Sequence, residues 1–156
     1  MTRESRDRLD GRRALVTGGS KGAGRAVVDR LREMGVDVWT SARTMPTGYD
    51  RPDRFIEADT STAEGAATVA ARVGEDGALD ILVHVVGGSS TPPGGYAVIT
   101  DEQWLVELNL NLLGAGRLGP RLPPPAGGAG VAGGPAAGTR RRAQTLSQSP
   151  PPSPPA

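Results

Sequence analysis

The chain contains no cysteine. That removes disulfides, thiolate metal sites and a cysteine nucleophile, and it fits a reducing compartment. No run of 18 or more apolar residues occurs in it, so no membrane-spanning helix is expected. Met1 to Arg13 is polar and charged, with no apolar stretch before Ala14, and a secretory leader is not expected either. The net charge is only +1. Bulk electrostatics therefore point to neither nucleic acid nor a membrane surface. Together these absences lead to the expectation of a soluble, cytoplasmic protein.

Acidic residues are absent from one whole region. Between Arg117 and Ala156 there is no Asp or Glu, while ten of the 14 prolines and five arginines fall there. That segment carries +5 and leaves −4 for residues 1–116. Its large aliphatic residues are only Leu118, Leu122, Val131 and Leu146. Such a composition buries too little apolar surface to offset the entropy of ordering. The expected organisation is a polar arm over 1–11, a folded domain over 12–116, and a disordered Pro/Gly/Ala/Arg-rich tail over 117–156.

Within 12–116 the apolar pattern alternates between short runs and helical spacing. Arg12 to Thr17 reads as a buried strand, and Gly18 to Gly24 as a glycine-rich turn. Ala23, Val27, Leu31 and Met34 recur at helical spacing before Gly35. Strands are expected over Val36 to Ser41 and Arg54 to Glu57, then a helix over Ser61 to Val73. Leu79 to Val86 reads as a central strand buried on both faces. Thr100 to Gln103 fits a capping box, and Trp104, Leu108, Leu112 and Ala115 line one face of the helix that follows. The order β-α-β-β-α-β-α implies an α/β fold, a parallel sheet with helices on both faces. Residues 42–53 lack a clear helix between the second and third strands.

The strongest motif is Thr17-Gly18-Gly19-Ser20-Lys21-Gly22-Ala23-Gly24, between a strand and a helix. Glycines there let the chain turn tightly and let a pyrophosphate approach the backbone. The helix amides and dipole then favour its negative charge. A P-loop is excluded, because Lys21 is followed by Gly22 rather than Ser or Thr.

The spacing Thr17-Gly18-x-x-x-Gly22-x-Gly24 resembles the short-chain dehydrogenase/reductase fingerprint T-G-x-x-x-G-x-G. Three further matches follow in order. Asp59-Thr60 resembles the family's acidic adenine contact. His84-Val85-Val86-Gly87-Gly88 stands in the place of the family's N-N-A-G motif. Asn111 is similar to the asparagine of the family's following helix. The resemblance covers roughly residues 9–118. It implies a Rossmann-like doubly wound parallel sheet, truncated here after about four of the six strands ordered 3-2-1-4-5-6. It also implies a dinucleotide held by Gly18, Ser20, Lys21, Gly22, Ala23, Gly24, Arg43, Asp59, Thr60, Val85 and Gly87.

The end of the second strand bears on which dinucleotide. An acid about 20 residues past the glycines would bind the ribose 2′-hydroxyl, whereas an Arg there would accommodate a 2′-phosphate. The sequence runs Val38-Trp39-Thr40-Ser41-Ala42-Arg43, with no acid, and Lys21 offers a second cation. The expectation is NADP, with NAD as the alternative.

By resemblance the family's chemistry needs a Tyr to move the substrate proton, a Lys four residues later, a Ser for the substrate oxygen and an Asn for a proton relay. A free Tyr titrates near 10, so an ammonium must favour its phenolate. This chain has one lysine, Lys21, and its tyrosines, Tyr49 and Tyr96, are followed four residues on by Asp53 and Thr100. Only Asn111 remains of the catalytic set. His84, lone on an apolar strand, reads as a packed, hydrogen-bonded residue. No metal site is expected.

Three functions remain open on the sequence. The first is an NADP-dependent oxidoreductase acting on a small carbonyl or alcohol, here a catalytically impaired copy. The second is a non-catalytic dinucleotide-binding module. The third is an interaction protein whose Pro150–Pro155 segment forms a polyproline II ligand. The change in composition after Leu118 is that of a shifted reading frame in GC-rich coding sequence; another frame would then encode the Ser strand and the Tyr-x-x-x-Lys helix. The family is usually homo-oligomeric, and an exposed fourth strand is expected to make this chain self-associate.

Overall fold

The computed structural model describes residues 9–91, 94 and 96–123. The first eight residues, the proline-rich segment and most of the expected tail lie outside the described residues.

Four short strands form one parallel sheet: β1 (Arg13–Thr17), β2 (Asp37–Ala42), β3 (Phe55–Glu57) and β4 (Ile81–His84). Their spatial order is β3-β2-β1-β4. Ala14 is level with both Val38 and Ile81, so β1 sits in the middle. This is the 3-2-1-4 part of a doubly wound sheet. Helix α1 (Gly22–Glu33) joins β1 to β2, and α2 (Ala63–Gly74) precedes β4. Between β2 and β3 there is no helix longer than the single turn Pro52–Arg54.

Side-chain alternation along β1 explains the two layers. Ala14 and Val16 point to one face, where they meet Val28, Val36 and Val38 under α1. Leu15 points to the other, into a cluster with Trp39, Ile56, Ala66, Val69, Val73, Leu79 and Leu118 under α2. Trp39 is fully buried there, with the guanidinium groups of Arg54 and Arg72 each 4.8 Å from its ring centroid. Those cations lie over the ring, and their stems and charge cover it.

Two expectations need correction. β4 is shorter than Leu79–Val86 and only half-buried, because among the described residues no strand pairs with its outer edge. Its composition suits a sheet interior, and its position is the exposed edge expected of a fourth and last strand.

The second correction concerns the boundary at 116. The final helix runs as α3 (Asp101–Leu108), a π-helical turn (Asn109–Leu113) and α4 (Gly114–Leu118), with one 3₁₀ turn beyond. Leu118 is fully buried, and Leu122 packs on the same cluster. Arg117 donates to the Ser61 carbonyl and to Asn109 Oδ1, both at 2.6 Å. Composition assigned these residues to the tail; packing assigns them to the domain.

The Thr100 capping box forms as read, with Thr100 Oγ1 accepting from the Gln103 amide and Gln103 Oε1 from the Thr100 amide. Among the described residues the α3 face finds no partner. Trp104, Leu105, Val106, Leu108, Leu112 and Leu113 are all exposed. No helix among the described residues is long and apolar enough to cross a membrane.

Candidate functional site: a cleft at the ends of the strands

The carboxyl ends of β1, β2, β3 and β4 open into one cleft of about 830 Å³. In an open α/β sheet this is where ligands bind, at the switch in strand order between β1 and β4.

The turn after β1 forms its floor. Gly18 has φ +73°, in the left-handed region that favours glycine. Its amide donates to the Ser41 carbonyl at 2.7 Å, tying the turn to β2. Gly24 is required by space: a Cβ there would stand 2.1 Å from the Gly18 carbonyl oxygen. Gly24→Ala must therefore push the turn off the helix. The expected outcome is loss of dinucleotide binding by at least about tenfold, one lost hydrogen bond to a charged group being worth that much. Calorimetric affinities within twofold of the parent would show that the turn yields.

Helix α1 begins without a side-chain cap. Lys21 is the N-cap residue with extended backbone, and no acid lies in the first turn. The first amides are thus left for an external acceptor, and the dipole favours an anion. Lys21 and Arg43 are both exposed, and neither makes a salt bridge among the described residues. Asp59 closes the far wall. Its Oδ1 accepts from the Ser61 amide at 2.9 Å and the Ser61 hydroxyl at 2.7 Å. The Ser61 hydroxyl bond holds this carboxyl below its usual range against the opposing effect of burial. The Ser61 amide and the Arg43 charge add to that lowering.

All eleven residues expected at the dinucleotide, from Gly18 to Gly87, line this one cleft. Ser41, Ala42, Thr44, Met45, Pro46, Ala58, Val86 and Leu110 also line it and were not anticipated. Ala42, Thr44, Ala58 and Val86 are adjacent to residues that were, Arg43, Asp59, Val85 and Gly87; the others carry no such signal.

Asn111 is placed differently. It is exposed, sits in the π-helical turn and does not line the cleft. Its Oδ1 accepts from the Gly88 amide at 3.0 Å, and its Nδ2 donates to the Gly88 carbonyl at 2.9 Å and to Glu107. The side chain thus clamps the segment after β4 to the helix. His84 Nδ1 lies 3.3 Å from Thr17 Oγ1, and burial pushes its imidazole toward the neutral form. It is the hydrogen-bonded residue that the sequence suggested, and it does not line the cleft. Tyr49 is buried with its hydroxyl on Thr40, whereas Tyr96 is exposed.

The short chain dehydrogenase family pattern matches residues 12–118. Among curated relatives, the rhamnolipids biosynthesis 3-oxoacyl-[acyl-carrier-protein] reductase of Pseudomonas aeruginosa is 41% identical over 90 residues, covering 52% of this chain and 35% of the relative. The granaticin polyketide synthase putative ketoacyl reductase 2 of Streptomyces violaceoruber is 37% identical over 109 residues, covering 65% and 44%. Among solved structures, the Pseudomonas aeruginosa RhlG/NADP active-site complex superposes with a TM-score of 0.61 at 32% identity, covering 74% of this chain and 46% of that one. The chain thus spans less than half the length of these relatives.

Proposed function

Because the chain belongs to the short-chain dehydrogenase family, we propose that its cleft binds a nicotinamide dinucleotide, NADP in preference to NAD, and that these 156 residues by themselves do not supply the family's Tyr-x-x-x-Lys pair. The observation that carries this reading is the cleft itself. One wall offers an uncapped helix N-terminus and Lys21, and another offers Arg43 where an acid would serve NAD.

The residues present fit such a group. The amides of the turn and of the first residues of α1 would hold the pyrophosphate. Arg43, with Lys21 beside the turn, would hold the 2′-phosphate. Asp59 keeps its charge and one uncommitted oxygen for the adenine. When bound, the dinucleotide supplies or accepts a hydride. Asn111, through Gly88 and Glu107, holds the segment after β4 to the helix. The substrate class proposed is that of intact relatives, a small carbonyl or alcohol.

Arg43 gives the direct test. A charge-assisted hydrogen bond contributes about 1.5–3 kcal/mol, or about tenfold to a hundredfold in affinity. Arg43→Ala is expected to weaken NADP by that factor in calorimetry and to leave NAD nearly unchanged. Equal losses for both would remove Arg43 from the 2′-phosphate.

A non-catalytic binding module is the second reading, favoured by one fact: the cleft has its binding groups, while the 156 residues contain no Tyr-x-x-x-Lys pair. Cytoplasmic location and self-association through the bare α3 face belong to the same proposal.

A further inference from the structure

A parallel crossover usually carries a helix that fixes the loop at the end of the first strand. Between β2 and β3 this chain has only one short turn, yet that loop presents Arg43, Thr44, Met45 and Pro46 to the cleft. The loop is held by side chains instead.

Two of the ties lead to the phosphate turn. Tyr49 is nearly buried, with 9% of its surface exposed, and its hydroxyl donates to Thr40 Oγ1 at 3.0 Å. The methyl of the same Thr40 lies against Gly19, only 2.8 Å from where a Cβ on that glycine would stand. So Tyr49, Thr40 and Gly19 form one packed line from the loop to the turn. Next in sequence, Asp50 accepts from Arg25 Nη1 and Arg32 Nη1, both at 2.9 Å. Arg25 directly follows Gly24, and the guanidinium groups of Arg25 and Arg32 lie 5.2 and 5.8 Å from the Tyr49 ring centroid. The loop's other end is tied to β3, where Glu57 Oε1 accepts from the Met45 amide at 2.7 Å.

A dinucleotide with a 2′-phosphate has two anionic groups a set distance apart. The phosphate turn meets one, and Arg43 meets the other. We propose that Tyr49 and Asp50 are positioning residues for the 2′-phosphate subsite, holding the Arg43 loop in register with the phosphate turn. The inference rests on the reading that Arg43 takes that phosphate. Half-exposed ion pairs such as Asp50 with Arg25 add little to stability, but a three-centre bridge between two arginines and a loop restricts where the loop can stand. NAD, which lacks the second phosphate, depends on the turn and not on this register.

The test uses the full chain and calorimetric affinities for NADP and NAD. Tyr49→Phe and Asp50→Ala are each expected to weaken NADP about three- to tenfold, the effect of one misplaced hydrogen bond, and to leave NAD within about twofold. Because they act through Arg43, Asp50→Ala added to Arg43→Ala is expected to cost nothing more, as coupled sites are not additive. Asp50 is half exposed, so that variant carries the test should Tyr49→Phe lower the melting temperature too far. If Arg43→Ala changes the NADP/NAD ratio while Tyr49→Phe and Asp50→Ala leave it unchanged, or if the double variant is additive, the positioning role is overturned and the NADP reading stands. If Arg43→Ala leaves the ratio unchanged, the NADP reading fails and this inference fails with it.

Discussion

Supplied with NADPH and a panel of ketones and aldehydes, these 156 residues are expected to show turnover at least about 10²–10⁴-fold below that of an intact relative, the contribution of general acid–base catalysis alone. Reduction of a carbonyl needs a proton delivered to the developing alkoxide. Tyr49 cannot deliver it, because its hydroxyl is buried on Thr40. Tyr96 is 82% exposed and is followed four residues on by Thr100 rather than a lysine. Lys21 stands in the phosphate turn, and His84 is turned to Thr17. Hydride release is followed at 340 nm in the ordinary assay; turnover at the level of an intact relative, surviving repurification, would show that another group in the cleft delivers the proton.

The second large effect is on stability. Leu118→Ala is expected to cost about 2–5 kcal/mol, the range for truncating a buried leucine and leaving a cavity. Leu118 is fully buried against the Trp39, Val69 and Val73 cluster. Whole domains are stable by only about 5–15 kcal/mol, and in a domain this size each kilocalorie moves the melting temperature by about 4–8 °C. A drop of roughly 10 °C or more is therefore expected, with a smaller one for Leu122→Ala, since Leu122 is only partly buried. The measurement is a melt by circular dichroism. An unchanged midpoint for Leu118→Ala would mean that the domain ends near 116, as composition alone suggests.

The sequence by itself determined the elements and the cleft's main parts. Short-range physics decides these: strand alternation, helix period, the capping box at Thr100 and the space left by Gly18 and Gly24 are all local. The glycine-rich turn, Arg43 and Asp59 were legible as lining one cleft for the same reason, since each sits at the end of a strand and strand ends of a parallel sheet converge. Tertiary structure alone decided what depends on neighbours distant in the chain. Val83 and His84 read as interior, yet they are half-buried because nothing pairs with the outer edge of β4 among the described residues. Leu118 and Arg117 read as tail, yet they close over α2 and Ser61, 45–56 residues away in sequence. Asn111 matches a motif by position, but only packing reveals that its amide is committed to Gly88 and Glu107. Nor does any local pattern reveal that Tyr49 and Asp50 tie the loop to the phosphate turn. Those contacts exist only once β1 and β2 lie side by side, which places Gly19 against Thr40 and α1 against the loop.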